Sequence, residues 1–181
     1  MDLKRIDRRA IEQTFKEIDR VVEGKGLGSV NLILCGSAAL IVKHDFKRST
    51  RDIDVIATSQ RPVFGIGALL ARHGFHLVPE ALLCLHPDYA NRLQEVVVLK
   101  RLKVYALGSY DLAISKIAED RQDLFISGLA ERLDLQRLRE LYFEAMKYWV
   151  GREEEFVTNW KLFEEEWHER KGPSWTPPRP G

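Results

Sequence analysis

The sequence predicts a mixed fold of helices and strands, α/β (α+β), with a helical extension at its C-terminus. Two short apolar runs, residues 30–34 and 52–57, are separated by a glycine turn and a helical stretch, which is typical of strands that alternate with helices. Two further β-rich runs, residues 95–99 and 102–107, are consistent with a hairpin or with neighbouring strands. From residue 109 onward only helical spacing is seen, so we expect one sheet with flanking helices.

The elements of the first half follow from spacing and turn residues. Apolar spacing predicts a helix within residues 5–23, a strand over 30–34, a helix over 38–43 and a strand over 52–57. Pro62 favours a helix start, and that helix is expected to end near Gly74, before a strand over 75–78. Residues 79–93 are ambiguous, with a turn predicted at 86–89.

The second half predicts three helices: one that begins at Ser109, one over 135–150 and one over 153–170. The last carries aromatic residues at intervals of 4, 3 and 4, namely Phe156, Trp160, Phe163 and Trp167. This stripe either packs on the rest of the domain or forms a surface for a protein partner or a homodimer. We predict a core at 1–125, a C-terminal helical region at 126–170 and a flexible, proline-rich tail at 171–181.

Composition excludes several classes of protein. A formal net charge of +1 over 181 residues gives no overall attraction to nucleic acid or membrane. No run approaches the roughly 18–20 apolar residues of a membrane span, and the charged start has no apolar signal segment. Cys35 and Cys84 form neither a zinc pattern nor a disulfide framework. A cytoplasmic protein without a membrane partner is expected.

An acidic pair on the predicted strand 52–57 is the main candidate for a functional site. Asp52 and Asp54 must point the same way, because side chains on a strand alternate faces with a period of two. Two adjacent carboxylates repel each other unless a cation or a proton lies between them. They predict a divalent-metal site, although solvated carboxylates paired with Arg48 and Arg51 are the alternative. Gly36 and Ser37 either form only a tight turn or, at a helix start, bind phosphate.

Three elements in this order resemble the nucleotidyltransferase-fold superfamily, which includes polymerase β-like enzymes, minimal nucleotidyltransferases and AbiEii-type toxins. They are the Gly36-Ser37 turn, the run Arg48-x-Thr50-x-Asp52-Ile-Asp54, and Asp111-Leu-x-x-x-Lys116. The resemblance covers roughly residues 30–125 and implies a mixed β-sheet with flanking helices.

The resemblance also implies an activity and a cofactor. Asp52 and Asp54 would hold Mg²⁺ (or Mn²⁺) and act as catalytic carboxylates, while Gly36, Ser37, Arg48, Thr50 and Lys116 would bind the phosphates of an NTP. Arg48 and Thr50 bind phosphate or only brace their loop, and Lys116 either reaches the site or snorkels to the surface. The expected reaction transfers an NMP to a hydroxyl of RNA, protein or a small molecule, in a toxin–antitoxin setting.

The third carboxylate decides between an active enzyme and a binding module. In active members of the superfamily it lies on a following strand and completes the metal site. Glu95, at the start of the β-rich run 95–99, is the best-placed acid, and Asp88 is a second candidate within a predicted turn. If neither reaches the metal, the chain is a catalytically degenerate interaction module of the same fold.

Overall fold

A computed structural model describes residues 7–43, 50, 52–58, 66–120 and 123–171. This part of the chain contains seven α-helices: α1 (Arg8–Gly24), α2 (Gly36–Lys43), α3 (Ile66–Arg72), α4 (Ser109–Ala118), α5 (Asp123–Ile126), α6 (Leu135–Met146) and α7 (Glu153–Lys171). It also contains five strands: β1 (Val30–Leu34), β2 (Ile53–Ala57), β3 (Phe75–Leu77), β4 (Gln94–Val98) and β5 (Leu102–Ala106).

The strands form one mixed sheet in the order β3-β2-β1-β5-β4. β1 runs parallel to β5 and antiparallel to β2, while β2 runs parallel to β3 and β4 antiparallel to β5. The prediction of an α/β fold with a mixed sheet, flanking helices and a C-terminal helical extension is therefore confirmed. Both β-rich runs of the second half are neighbouring antiparallel strands, as expected of a hairpin.

Some boundaries differ from the predicted ones. Helix α1 begins at Arg8 because the Asp7 side chain accepts a hydrogen bond of 2.8 Å from the backbone N–H of Ala10. Helix α6 is shorter than the predicted 135–150 and ends at Met146. Residues 79–93 contain two short 3-10 helices, Glu80–Leu82 and Tyr89–Arg92. The predicted flexible tail at 171–181 lies, apart from its first residue, outside the described residues.

The chain forms two compact units, one within residues 1–82 and 88–108, the other within 83–87 and 109–181. The first unit contains the whole sheet together with α1, α2 and α3. The second unit contains α4 to α7.

Helix α1 packs on one face of the sheet. Phe15 of α1 contacts Phe75 of β3, with ring centroids 5.8 Å apart. Phe75 is paired with Ile53, so this helix-covered face also carries Ile53 and Val55. Because side chains alternate, Asp54 lies on the opposite face, which we call the carboxylate face.

The second unit is built around aromatic side chains of α6 and α7. Phe156, Trp160, Phe163 and Trp167 are at most 7% exposed. Tyr142 of α6 stacks on Phe156 with ring centroids 3.8 Å apart, and its hydroxyl donates a hydrogen bond of 2.9 Å to the Phe156 carbonyl. The aromatic stripe of the last helix is therefore used inside the chain, which favours the packing alternative over a partner surface.

No helix in the described part of the chain is long and apolar enough to cross a membrane.

Candidate functional site

The turn between β1 and α2 brings a glycine against the acidic strand. Gly36 is the first residue of α2 and has a φ of +60°, a conformation that side chains disfavour. The backbone N–H of Cys35 donates to the carbonyl of Asp54 at 3.0 Å, which holds the turn beside β2. A Cβ atom on Gly36 would lie 2.8 Å from Oδ2 of Asp54. The turn and the carboxylate are therefore in direct contact.

The acidic pair lies at the start of β2. Asp54 is half-buried, whereas the Asp52 side chain is 58% exposed. The Thr50 hydroxyl donates to the Asp52 carbonyl at 2.9 Å and accepts from the Asp52 N–H at 3.4 Å. Thr50 thus braces the segment that leads into β2, and its predicted role in phosphate binding stays a prediction. Arg48, the neighbouring phosphate candidate, lies outside the described residues.

Ser37 occupies the first turn of α2, next to Gly36. It is half-buried and has a polar or electrostatic partner of its own. The start of a helix carries backbone N–H groups without helical partners and a partial positive charge, so it favours an anion such as phosphate. The structure therefore places both predicted phosphate-binding residues of the turn at the same helix start, beside the acidic pair.

Glu95 is kept apart from this pair by the order of the sheet. Register pairs run from Glu95 to Tyr105, from Tyr105 to Ile33 and from Ile33 to Ile56, so Glu95 lies on the carboxylate face. However, β1 and β5 separate β4 from β2. Three strand spacings of about 4.8 Å place Glu95 roughly 14 Å from β2. The structure does not bring it to Asp54, and its catalytic role stays a prediction from sequence. Asp88 precedes a 3-10 helix and is not on a strand.

Lys116 lies in α4, within the second unit. It is 2% exposed, and Asp111 of the same helix is fully buried. Both residues have a polar or electrostatic partner. Charged side chains are rarely fully buried unless they are paired. Lys116 does not snorkel to the surface, and its phosphate-binding role stays a prediction.

One residue near the acidic pair was missed by sequence reasoning. His76 of β3 is paired in parallel register with Asp54, and its Nε2 atom lies 3.8 Å from Oδ1 of Asp52. The sequence offered only a histidine at an alternate position of a short predicted strand. Nothing in the spacing showed that this strand pairs with β2, because strand order depends on contacts between distant parts of the chain.

Both cysteines are buried. Cys35 directly follows β1 and is 1% exposed, as is typical of a small core residue. Burial raises the pKa of the Cys84 thiol to about 12, so this thiol stays protonated near neutral pH. Neither buried cysteine resembles an exposed, reactive nucleophile.

The donor set of the first unit suits a divalent cation, although it is not pre-assembled. Within the described ranges, no three His, Cys, Asp or Glu side chains are grouped as a metal site. Carboxylate oxygens are the ligands that Mg²⁺ and Mn²⁺ accept, and Asp52 and Asp54 share one face of β2. The space that a Gly36 side chain would fill is left to the Asp54 carboxylate. These residues fit a cation beside a bound phosphate.

Comparison with protein families agrees with this geometry. A family described as "Nucleotidyltransferase of unknown function (DUF6036)" matches residues 9–170, which is most of the chain. No curated protein and no solved structure matches this chain. The chain belongs to this nucleotidyltransferase family, and the suspected membership of the nucleotidyltransferase-fold superfamily is supported.

Proposed function

We propose that this protein is a divalent-metal-dependent nucleotidyltransferase that moves an NMP from an NTP to a hydroxyl acceptor. The observation that carries the proposal is the contact between Gly36 and Asp54 at the start of α2. It puts an anion-binding helix start and a carboxylate that can hold a cation next to each other. A triphosphate with its metal needs both in one place.

Each part of the site has a task in this reaction. The start of α2, with Gly36 and Ser37, takes the phosphates through backbone N–H groups and a hydroxyl. Asp52 and Asp54 hold the divalent cation, which when bound supplies charge neutralisation of the phosphate oxygens. The residues thereby orient the α-phosphorus for attack, and positioning of this kind supplies much of the rate of phosphoryl chemistry.

The reaction balances without any further reagent. The acceptor oxygen forms a bond to the α-phosphorus, and the bond from that phosphorus to the bridging oxygen breaks. Pyrophosphate leaves with the electron pair of that bond, and the hydroxyl proton passes to water or to a carboxylate. An RNA, protein or small-molecule acceptor, and a toxin–antitoxin setting, rest on the resemblance to AbiEii-type toxins alone.

One observation favours a second candidate, a nucleotide-binding module without catalysis. Glu95, the expected third carboxylate, is separated from β2 by two strands. A site with two carboxylates still binds an NTP and its metal, but it offers fewer ligands to the reacting groups. Binding and transfer therefore have to be measured separately.

Thermal unfolding with each NTP and Mg²⁺ or Mn²⁺ measures binding. A ligand that binds only the native state stabilises it by about 2.7 kcal/mol at roughly 100 times its Kd. For a chain of this size that corresponds to a rise in Tm of about 5–10 °C. We expect this rise with metal and not with EDTA. No rise with any NTP would overturn both candidates.

Transfer is measured with an α-³²P-labelled NTP and total RNA or protein as acceptor. The double variant Asp52→Asn/Asp54→Asn should lose both label transfer and the metal-dependent rise in Tm while it stays folded. Glu165→Gln/Glu169→Gln removes the same number of charges from exposed positions of α7 and serves as the control. Transfer by the wild type separates the two candidates, because the binding module takes up the NTP without transferring label. Loss of transfer with retained binding in Glu95→Gln would then assign a catalytic role to Glu95. Transfer by the Asp52/Asp54 double variant would refute the assignment.

A further inference from the structure

His76 shares the carboxylate face with the acidic pair. Parallel register pairs His76 directly with Asp54, and side chains of paired residues project from the same face. Directly paired Cβ atoms lie about 5 Å apart, and diagonal neighbours such as Asp52 are still within reach of an imidazole ring. Two carboxylates and one imidazole therefore project from this face. Within the described residues they are not grouped as a metal site, so a cation would have to draw them together.

The distance between His76 and Asp52 suits two ligands of one ion. Metal–ligand bonds to nitrogen and oxygen are about 2.0–2.2 Å long, so two ligands of one ion lie roughly 3–4 Å apart. Nε2 of His76 lies 3.8 Å from Oδ1 of Asp52, within that range. The same distance is longer than a hydrogen bond of good geometry. The two atoms are within ion-pair range, and their separation also suits two ligands of one cation.

Both side chains can adjust to a cation at little cost. The side chains of His76 and Asp52 are each 58% exposed. An exposed His–Asp contact contributes little to stability, so burial and packing do not explain this pair. The Asp54 carboxylate lies where a side chain at position 36 would be, so the glycine there leaves it room.

We infer that His76 is the third protein ligand of the cation held by Asp52 and Asp54, and that its nitrogen makes the site prefer Mn²⁺ to Mg²⁺. This inference rests on the proposed function and deepens it. Mg²⁺ keeps to oxygen ligands and loses its water reluctantly, whereas first-row transition cations accept imidazole. An imidazole on the strand beside β2 thus takes the place that Glu95, three strands away, does not reach.

The experiment compares metal binding in four forms of the full chain: wild type, His76→Ala, His76→Asp and His168→Ala. His168→Ala is the matched control, because it removes an exposed histidine from α7. Calorimetry with Mn²⁺ and Mg²⁺ gives the ratio of the two affinities. Electron spin echo spectroscopy of bound Mn²⁺ reports coupling to an imidazole nitrogen, independently of any activity.

We expect a ¹⁴N signal in wild type and in His168→Ala, and its loss in His76→Ala. The Mn²⁺ affinity of His76→Ala should fall about tenfold or more, since even outer partners of metal ligands change affinity by about 10- to 100-fold. His76→Asp should raise the affinity for Mg²⁺ relative to Mn²⁺. A bound Mn²⁺ without a ¹⁴N signal, or an unchanged affinity ratio in His76→Ala, would overturn the role of His76 and leave the proposed function standing. Absence of metal and NTP binding in wild type would overturn both.

Discussion

Gly36 and Asp54 are in such close contact that no side chain fits between them: a Cβ on Gly36 would lie 2.8 Å from Oδ2 of Asp54. The backbone of Gly36 has a φ of +60°, which is a second and independent reason for glycine at this position. The turn that starts α2 and the strand that carries the acidic pair are therefore coupled by shape. A change at Gly36 acts on the carboxylate as well as on the backbone.

Gly36→Ala should stay folded and lose nucleotide binding. We expect a loss of about 1–2 kcal/mol of unfolding free energy from the left-handed backbone, together with displacement of the Asp54 carboxylate. The metal-dependent rise in Tm with NTP should then be reduced or absent. Denaturant unfolding gives the stability, and thermal unfolding with NTP and Mn²⁺ gives the binding.

Gly26→Ala is the matched control for this prediction. Gly26 has a φ of +63°, and a Cβ there would meet no atom within 4 Å. Both variants should lose similar stability, and only Gly36→Ala should lose binding. Equal binding by the two variants would show that the contact with Asp54 has no part in the site.

Local patterns were sufficient to predict the elements that build the site but not to bring them together. The strand over 30–34, the glycine turn and the acidic strand depend on apolar spacing and turn chemistry within a few residues, and all three are present. The order β3-β2-β1-β5-β4 depends on pairings between distant segments, which spacing does not encode. Spacing therefore shows neither that β1 and β5 lie between Glu95 and β2 nor that His76 is paired with Asp54.

Asp19 is a second residue whose role only the fold shows. It belongs to α1 and is 9% exposed, and its Oδ1 accepts hydrogen bonds from the backbone N–H groups of Arg101 (2.7 Å) and Leu102 (2.8 Å). It thereby anchors the turn between β4 and β5 to the helix. In sequence, Asp19 is simply a polar residue next to the apolar Ile18.

Asp19→Ala should destabilise the protein by about 2–3 kcal/mol, because two backbone donors lose a charged acceptor in a largely buried place. Urea unfolding measures the change. Asp19→Asn retains an oxygen acceptor of the same shape and should cost less. A loss below about 0.5 kcal/mol in Asp19→Ala would mean that water replaces the carboxylate at this turn.

Glu144 should make stability sensitive to acid. Its Oε2 lies 3.0 Å from Nε2 of the buried His86, and the hydrogen bond and charge of His86 lower the pKa of the Glu144 carboxyl below its ordinary 4.5. Lys147 and Arg137 act in the same direction. A carboxyl whose pKa is lower in the native state stabilises that state above about pH 4.5, and this contribution disappears as the pH falls through the lowered value.

Glu144→Gln should therefore be less stable than wild type at pH 7, and the difference should shrink as the pH falls below about 4.5. Urea unfolding at pH 7, 5 and 3.5 measures it. Glu169→Gln, at an exposed position of α7, should change the free energy of unfolding by less than about 0.5 kcal/mol at pH 7. A difference that is constant across the three pH values would show that the ion pair does not set the pKa of Glu144.

Alkaline conditions should destabilise the second unit through its buried thiol. Burial raises the pKa of Cys84 to about 12 from an ordinary 9.0, and burial likewise raises the pKa of Tyr142. The native state keeps these protons while the unfolded chain releases them, so stability is complete below pH 9 and falls as the pH rises from 9 toward 12. One titrating group lowers the free energy of unfolding by at most about 1.4 kcal/mol per pH unit.

Between pH 9 and 10 the thiol should dominate, because an unperturbed tyrosine titrates near pH 10. Cys84→Ala removes this titration, so its stability should fall less than that of wild type over the same interval, even though the smaller side chain lowers stability at pH 7. Urea unfolding at pH 7, 9 and 10 compares the two proteins. Iodoacetamide should modify Cys84 only as fast as the chain unfolds, since the thiolate is the reactive form. Rapid alkylation of Cys84 in the native protein at pH 8 would contradict a strongly raised pKa of this thiol. Equal loss of stability in wild type and Cys84→Ala from pH 9 to 10 would contradict it as well.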